Sequence, residues 1–135
     1  MSFANRTAKG LLDYLFGKTS VFDTQPTIHV GLSTTAPAED GTNVSEPVGN
    51  NYARVAVAAG DWNAATLADP SLIDNSAAIN FPTPSGAWGT VTHFAIFDAL
   101  TGGNVVASGI LTTSRSPQNG DPVSFPIGDL DITLD

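Results

Sequence analysis

The stretch Trp88-Gly-Thr-Val-Thr-His-Phe-Ala-Ile-Phe-Asp-Ala99 decides the fold. In an extended chain Val91, His93, Ala95 and Phe97 fall on one side, and Thr92, Phe94, Ile96 and Asp98 on the other. Both sides are largely apolar, the pattern of a strand covered on two faces. The stretch therefore predicts a central strand, closed by the turn Asp98-Ala-Leu-Thr-Gly-Gly-Asn104.

The flanking sequence supplies partners for it. Thr27 to Ser33 alternates, with Ile28, Val30 and Leu32 inward and His29, Gly31 and Ser33 outward. Tyr52–Ala58, Ser76–Phe81 and Asn104–Thr112 read as further strands, the last with Gly109 as a bulge. Val123–Ile127 and Leu130–Leu134 predict a closing hairpin around Gly128-Asp129, while residues 59–75 carry mixed signals and no assignment. About seven short strands joined by frequent turns predict an all-β fold, an antiparallel, jelly-roll-like β-sandwich with one N-terminal α-helix. The expected organisation is a single domain over residues 1–135, with the helix in 1–18 and the β-body in 27–135.

The helix is expected from Ser2 to Phe16, capped by Ser2 or Asn5 and ended by Gly17. Leu11, Leu12, Leu15 and Phe16 form an apolar stripe, extended upstream by Phe3 and Ala8. One reading lays this stripe over an open end of the β-core. The other docks it on another subunit, with Phe3, Arg6, Lys9, Leu11, Leu12 and Leu15 as the contact face. Charge supports a division of labour. Residues 1–18 carry Arg6, Lys9 and Lys18 against Asp13, whereas the rest carries Arg54 and Arg115 against twelve acids.

Several function classes are excluded or weakened. A formal charge of −8 lacks the basic footprint that nucleic acid requires. No apolar run is long enough to cross a membrane, and the short LLDYLF segment is no secretory signal. Without cysteine there is neither a disulfide framework nor thiolate chemistry. No serine sits in a nucleophile elbow, and the two histidines are expected in different environments, His29 outward and His93 near the core. Asp129 and Asp131 lack calcium-loop spacing and read as a solvated acidic edge. No catalytic residue, metal site or cofactor is expected. The long polar loop 34–51, with Glu39, Asp40, Val44 and Glu46, is a second candidate contact surface. Trp62, in an irregular acidic segment, is the candidate for stacking on a glycan.

Val30 with VGLSTTAP at 31–37, YARVAV at 52–57, INFPTPSGAWGTVTHFAIFDALTGGN at 79–104 and DPVSFPIGDLDITLD at 121–135 together resemble a family of small tailed-phage virion proteins, commonly labelled tail-fibre or virion structural proteins. The likeness runs from about Ile28 to the C-terminus. It implies a non-enzymatic particle component, made in the host cytoplasm and located in the virion, and it transfers no catalytic or cofactor residues. The residues themselves show no heptad run or repeat from which a fibre shaft could be built. A compact acidic body with a basic, Leu-rich helix reads instead as an accessory subunit on a larger lattice. The first expectation is a capsid decoration (cement) protein bound to the major capsid protein, many copies adding up by avidity. A tail-fibre, tail-tip or baseplate subunit is the alternative, and a receptor- or glycan-binding module the third. Self-association is expected, a trimer being one form of it.

Overall fold

In the computed structural model, which describes residues 1–19, 21, 22 and 26–134, the stretch Trp88–Ala99 supplies the middle strand of the largest sheet. Five antiparallel strands lie in the order β1 (Ser2–Phe3), β7 (Val105–Arg115), β6 (Val91–Phe97), β2 (Ile28–Ser33) and β3 (Val55–Val57). The register sets Val30 opposite Ile96 and Leu32 opposite Phe94 on one side of β6, and Ala107 opposite Ile96 on the other. These side chains share one face and are buried with Val57, Trp88 and Val91 in the main core. Each such aliphatic or aromatic side chain contributes about 1.5–3 kcal/mol through burial. The opposite face carries a smaller cluster of Ala4, Ala95, Phe97 and Val105, with Val44 packed against it.

Strict alternation does not survive along β6. The ladder slips between Val91 and His93 and again between Ile96 and Phe97. The first slip turns Val91 to the side of Phe94 and Ile96, away from the Ala95–Phe97 face that alternation alone predicts. The histidine expectation is corrected as well. His29 is buried and His93 only half-buried; on the face that carries His29, the neighbouring Gly31 is covered by Glu46, Tyr52 and Phe97. His29 pairs with Phe97 while His93 pairs with Ser33, so the two rings sit at opposite ends of the β2–β6 ladder.

The second layer consists of two separate ribbons, β4 (Ser71–Asp74) with β9 (Asp131–Leu134) and β5 (Ile79–Asn80) with β8 (Ser124–Phe125). The expected closing hairpin is therefore replaced: β8 and β9 pair with upstream strands and not with each other. Asn75 is the reason. Its fully buried amide donates to Ala77 O and Pro126 O, both at 2.9 Å, and accepts from Leu130 N at 2.9 Å, while its own carbonyl accepts from Gly128 N at 2.8 Å. One side chain thus fastens the chain between β8 and β9 onto the end of β4. β4 itself lies in the stretch that local patterning left unassigned.

Candidate functional site

The helix α1 runs from Asn5 to Leu15, three residues later than expected, because Ser2 and Phe3 pair with Ser108 and Ala107 of β7. Phe3 consequently packs against the main core and is not part of any helix face. Neither Ser2 nor Asn5 caps the helix; Ala4 stands at the N-cap without a side-chain bond. The free amides find tertiary acceptors instead: Ala4 N donates to Val106 O at 2.9 Å, and Asn5 N to Glu39 O at 2.7 Å. The C-terminus follows expectation. Gly17 has φ +70°, Lys18 N donates to Asp13 O at 2.8 Å and Gly17 N to Tyr14 O at 3.4 Å, a Schellman arrangement.

What faces the body is a line of small residues. Ala4, Thr7 and Gly10 are buried, and Thr7 Oγ1 donates to Val106 O at 2.7 Å. A Cβ on Gly10 would lie 2.5 Å from Val21 Cγ2 and 2.8 Å from Phe22 Cε2, so the helix backbone comes as close as glycine permits. That approach rotates the leucine stripe outward. Leu12, Leu15 and Phe16 are 59 %, 65 % and 75 % exposed, and Leu11 is half-buried at the margin. The lid reading, in which the stripe covers the core, is therefore overturned: the small-residue face covers it and the stripe points to solvent. Lys9 pairs with Asp13 beside the stripe, and Arg6 lies near enough to Asp98 to favour its charged form.

Loop 34–51 is divided between inside and outside. Glu39 and Asp40 are exposed. Asp40 Oδ1 accepts from Thr42 Oγ1 at 2.6 Å and Thr42 N at 3.0 Å, and these bonds hold its carboxyl below the ordinary carboxylate range. Val44 and Glu46 turn inward, which corrects their assignment as surface contacts. Val44 packs on Phe97 and its neighbours. Glu46 accepts Nε and Nη2 of Arg54 at 3.0 and 2.8 Å and the hydroxyl of Tyr52 at 2.7 Å. Arg54 Nη1 donates to Ala99 O and Gly102 O, both at 2.8 Å, and the guanidinium lies 3.4 Å above the Phe97 ring. The Tyr52 hydroxyl also caps Leu32 N at 2.9 Å, and burial pushes its pKa well above the ordinary tyrosine value. This network clamps loop 34–51 to the β6–β7 turn. Asp98 closes that turn: burial opposes its ionisation, but bonds from Asn104 N and Nδ2 at 2.6 and 2.9 Å, with Arg6, outweigh it and hold the carboxyl below its ordinary value.

The remaining candidates do not converge. Trp62 is half-buried against the core and bridges to Asn75, leaving part of its surface open. Trp88 is buried, its Nε1 donating to Asn50 O at 2.8 Å. His29 Nδ1 lies 3.3 Å from Thr27 O, and His93 Nδ1 2.8 Å from Thr92 Oγ1. Among the described residues no three His, Asp or Glu side chains are grouped to hold a metal ion, and no helix is long and apolar enough to cross a membrane. The salient surface is thus the exposed apolar face of α1, flanked by lysine and seated on the body through small residues. Sequence patterning found the stripe. It missed the Ala4–Thr7–Gly10 spacing, the signal that decides which side of the helix turns inward.

A family model described as podophage GP4 fiber I protein gp80 matches residues 2–133 of the chain. No curated protein matches the chain at a significant level.

Proposed function

The chain belongs to the podophage GP4 fiber I protein gp80 family, and from that premise we propose that it is a non-enzymatic subunit of a phage fibre assembly, docked on a larger virion component through the outer face of α1. The family is one of fibre structural proteins, so the chain is a fibre-type structural protein of a phage particle. The observation that carries the docking role is the exposure of Leu12, Leu15 and Phe16 on one helix face. Three large apolar side chains exposed side by side on one helix face mark an interaction site. The clamp formed by Glu46, Tyr52 and Arg54 contributes rigidity: it holds loop 34–51, whose Glu39 carbonyl ties down the first turn of α1. Residue patterning placed capsid decoration first; the fibre family moves the weight to the tail-fibre alternative.

Two measurements test the reading. Quantitative mass spectrometry of purified particles should find the protein at a few to a few dozen copies, in keeping with tail symmetry. Hundreds of copies would place it on the shell, and absence from particles would end the proposal. Leu12→Glu with Leu15→Glu should leave the melting temperature of the isolated protein within about 2 °C, since both side chains are solvent-exposed, yet abolish incorporation into particles. Normal incorporation of this variant would exclude α1 as the dock.

A further inference from the structure

Beside the distal half of β7 the two layers part. Between the pairs Val91–Arg115 and His93–Ile110, β6 contributes one intervening residue and β7 contributes four, Leu111 to Ser114. This excursion opens a cleft of about 350 Å³ between the main sheet and the second layer. Its floor is apolar, with Phe94, Leu111, Phe125 and Leu130; Thr113, Arg115 and Asp129 stand at its rim. The volume is within the range of sites that accept a bound group.

The rim adjoins an accumulation of negative charge. Asp74 and Asp131 are direct cross-strand partners in the β4–β9 ribbon, an arrangement that repels. Asp129 lies two residues before Asp131, and Gly128 packs against Asp74 Oδ2, a built Cβ there lying 3.6 Å from it. Asp129 stands at the rim itself, opposite in charge to Arg115, and Asp74 and Asp131 add two further carboxylates on the adjoining ribbon. The group that completes this surface is apolar and cationic.

One segment of the same chain has that chemistry. The outer face of α1 presents Leu12, Leu15 and Phe16 in a segment, residues 1–18, that carries Arg6, Lys9 and Lys18 against Asp13 alone. It cannot reach its own cleft. α1 is bonded to Val106 on the side of the sheet that carries the Ala95–Phe97 cluster, whereas the cleft opens on the main-core side around Thr113. Seven residues of β7, about 23 Å of strand, separate the two. We infer that the cleft is the acceptor for α1 of a second copy, so that copies associate head to tail with α1 of each lying in the cleft of the next.

Donor and acceptor are different surfaces, so the contact either closes, as a reciprocal pair or a larger ring, or propagates as an open stack. Opposite charges draw the two surfaces together, and the attraction weakens as salt rises. The inference rests on the α1 docking reading and names its partner.

The test is a complementation experiment by analytical ultracentrifugation on the full chain. Two variants change only exposed positions, so both are expected to fold: Leu12→Glu with Leu15→Glu spoils the donor, and Thr113→Arg with Asp129→Lys spoils the acceptor. The unchanged protein should self-associate, at least tenfold more weakly in 0.5 M than in 0.05 M salt. Each variant alone should be monomeric. Mixed one to one, they should form a 1:1 complex and nothing larger, because only one intact donor and one intact acceptor remain. Self-association of the acceptor variant at the normal strength would mean that α1 faces pair with each other, and would overturn the inference. So would a mixture that stays monomeric, or an unchanged protein that stays monomeric at millimolar concentration. In either monomeric case, loss of the Leu12→Glu, Leu15→Glu variant from particles would still uphold α1 as a dock on another virion protein.

Discussion

Arg54 is predicted to be the most sensitive polar side chain in the protein. Its side chain is 7 % exposed and makes four hydrogen bonds, two to Glu46 and one each to Ala99 O and Gly102 O. Arg54→Met keeps an apolar stem over Phe97 but removes all four donors. Glu46 is then left with the Tyr52 hydroxyl alone, and two turn carbonyls lose their partner. Removing one member of a buried ion pair costs about 3–5 kcal/mol. Glu46 retains 24 % exposure, so water recovers part of that loss and the lower end applies, about 3 kcal/mol. For a chain of this length that corresponds to a fall in melting temperature of roughly 10 °C. Urea unfolding followed by tryptophan fluorescence is the suitable assay, because Trp88 packs edge-on to Tyr52 at 5.2 Å and reports on the clamp. Glu46→Gln and the double variant complete a cycle, with an expected coupling of at least about 1 kcal/mol. Arg54→Lys should recover only a minor part, since one ammonium cannot satisfy the four acceptors. A loss below about 1 kcal/mol for Arg54→Met, or an additive cycle, would refute the clamp.

Asn75→Ala should cost about 2 kcal/mol, because it strands the buried amide of Leu130 and removes the donor to the partly buried carbonyls of Ala77 and Pro126; an unchanged urea midpoint would remove Asn75 as the fastener of the second layer. For Asp98, the folded carboxyl is held below its ordinary value. Its contribution to stability is therefore complete above about pH 5 and is lost as pH falls through the carboxylate range near 4 and below. The stability gap between the unchanged protein and Asp98→Asn should narrow from pH 6 to pH 3, and a constant gap would contradict this. Tyr52 acts at the other extreme. Its raised pKa means that stability is lost as pH climbs above about 10, where the unfolded phenol ionises first. Tyr52→Phe should remove most of that alkaline slope, as read by melting temperature between pH 9 and pH 11.

What the sequence determined by itself was whatever depends on neighbours along the chain. Apolar residues on both faces made β6 the central strand, alternation made β2 a strand, and the apolar stripe with its glycine stop predicted α1 and its C-cap. The scarcity of converging histidine and acid side chains pointed away from catalytic or metal chemistry. Tertiary structure decided the rest, because it depends on contacts between residues far apart in sequence. Nothing near Leu12 reveals that Gly10 brings the helix backbone against Val21 and Phe22, yet that approach turns Leu12, Leu15 and Phe16 outward. Glu46 and Val44 read as surface residues of a polar loop until Arg54, Tyr52 and Phe97 are placed beside them. β8 and β9 read as a hairpin until Asn75, some fifty residues upstream, claims the chain between them. The cleft under Leu111–Ser114 exists only because β6 and β7 fall out of register, a property of two strands together and of neither alone.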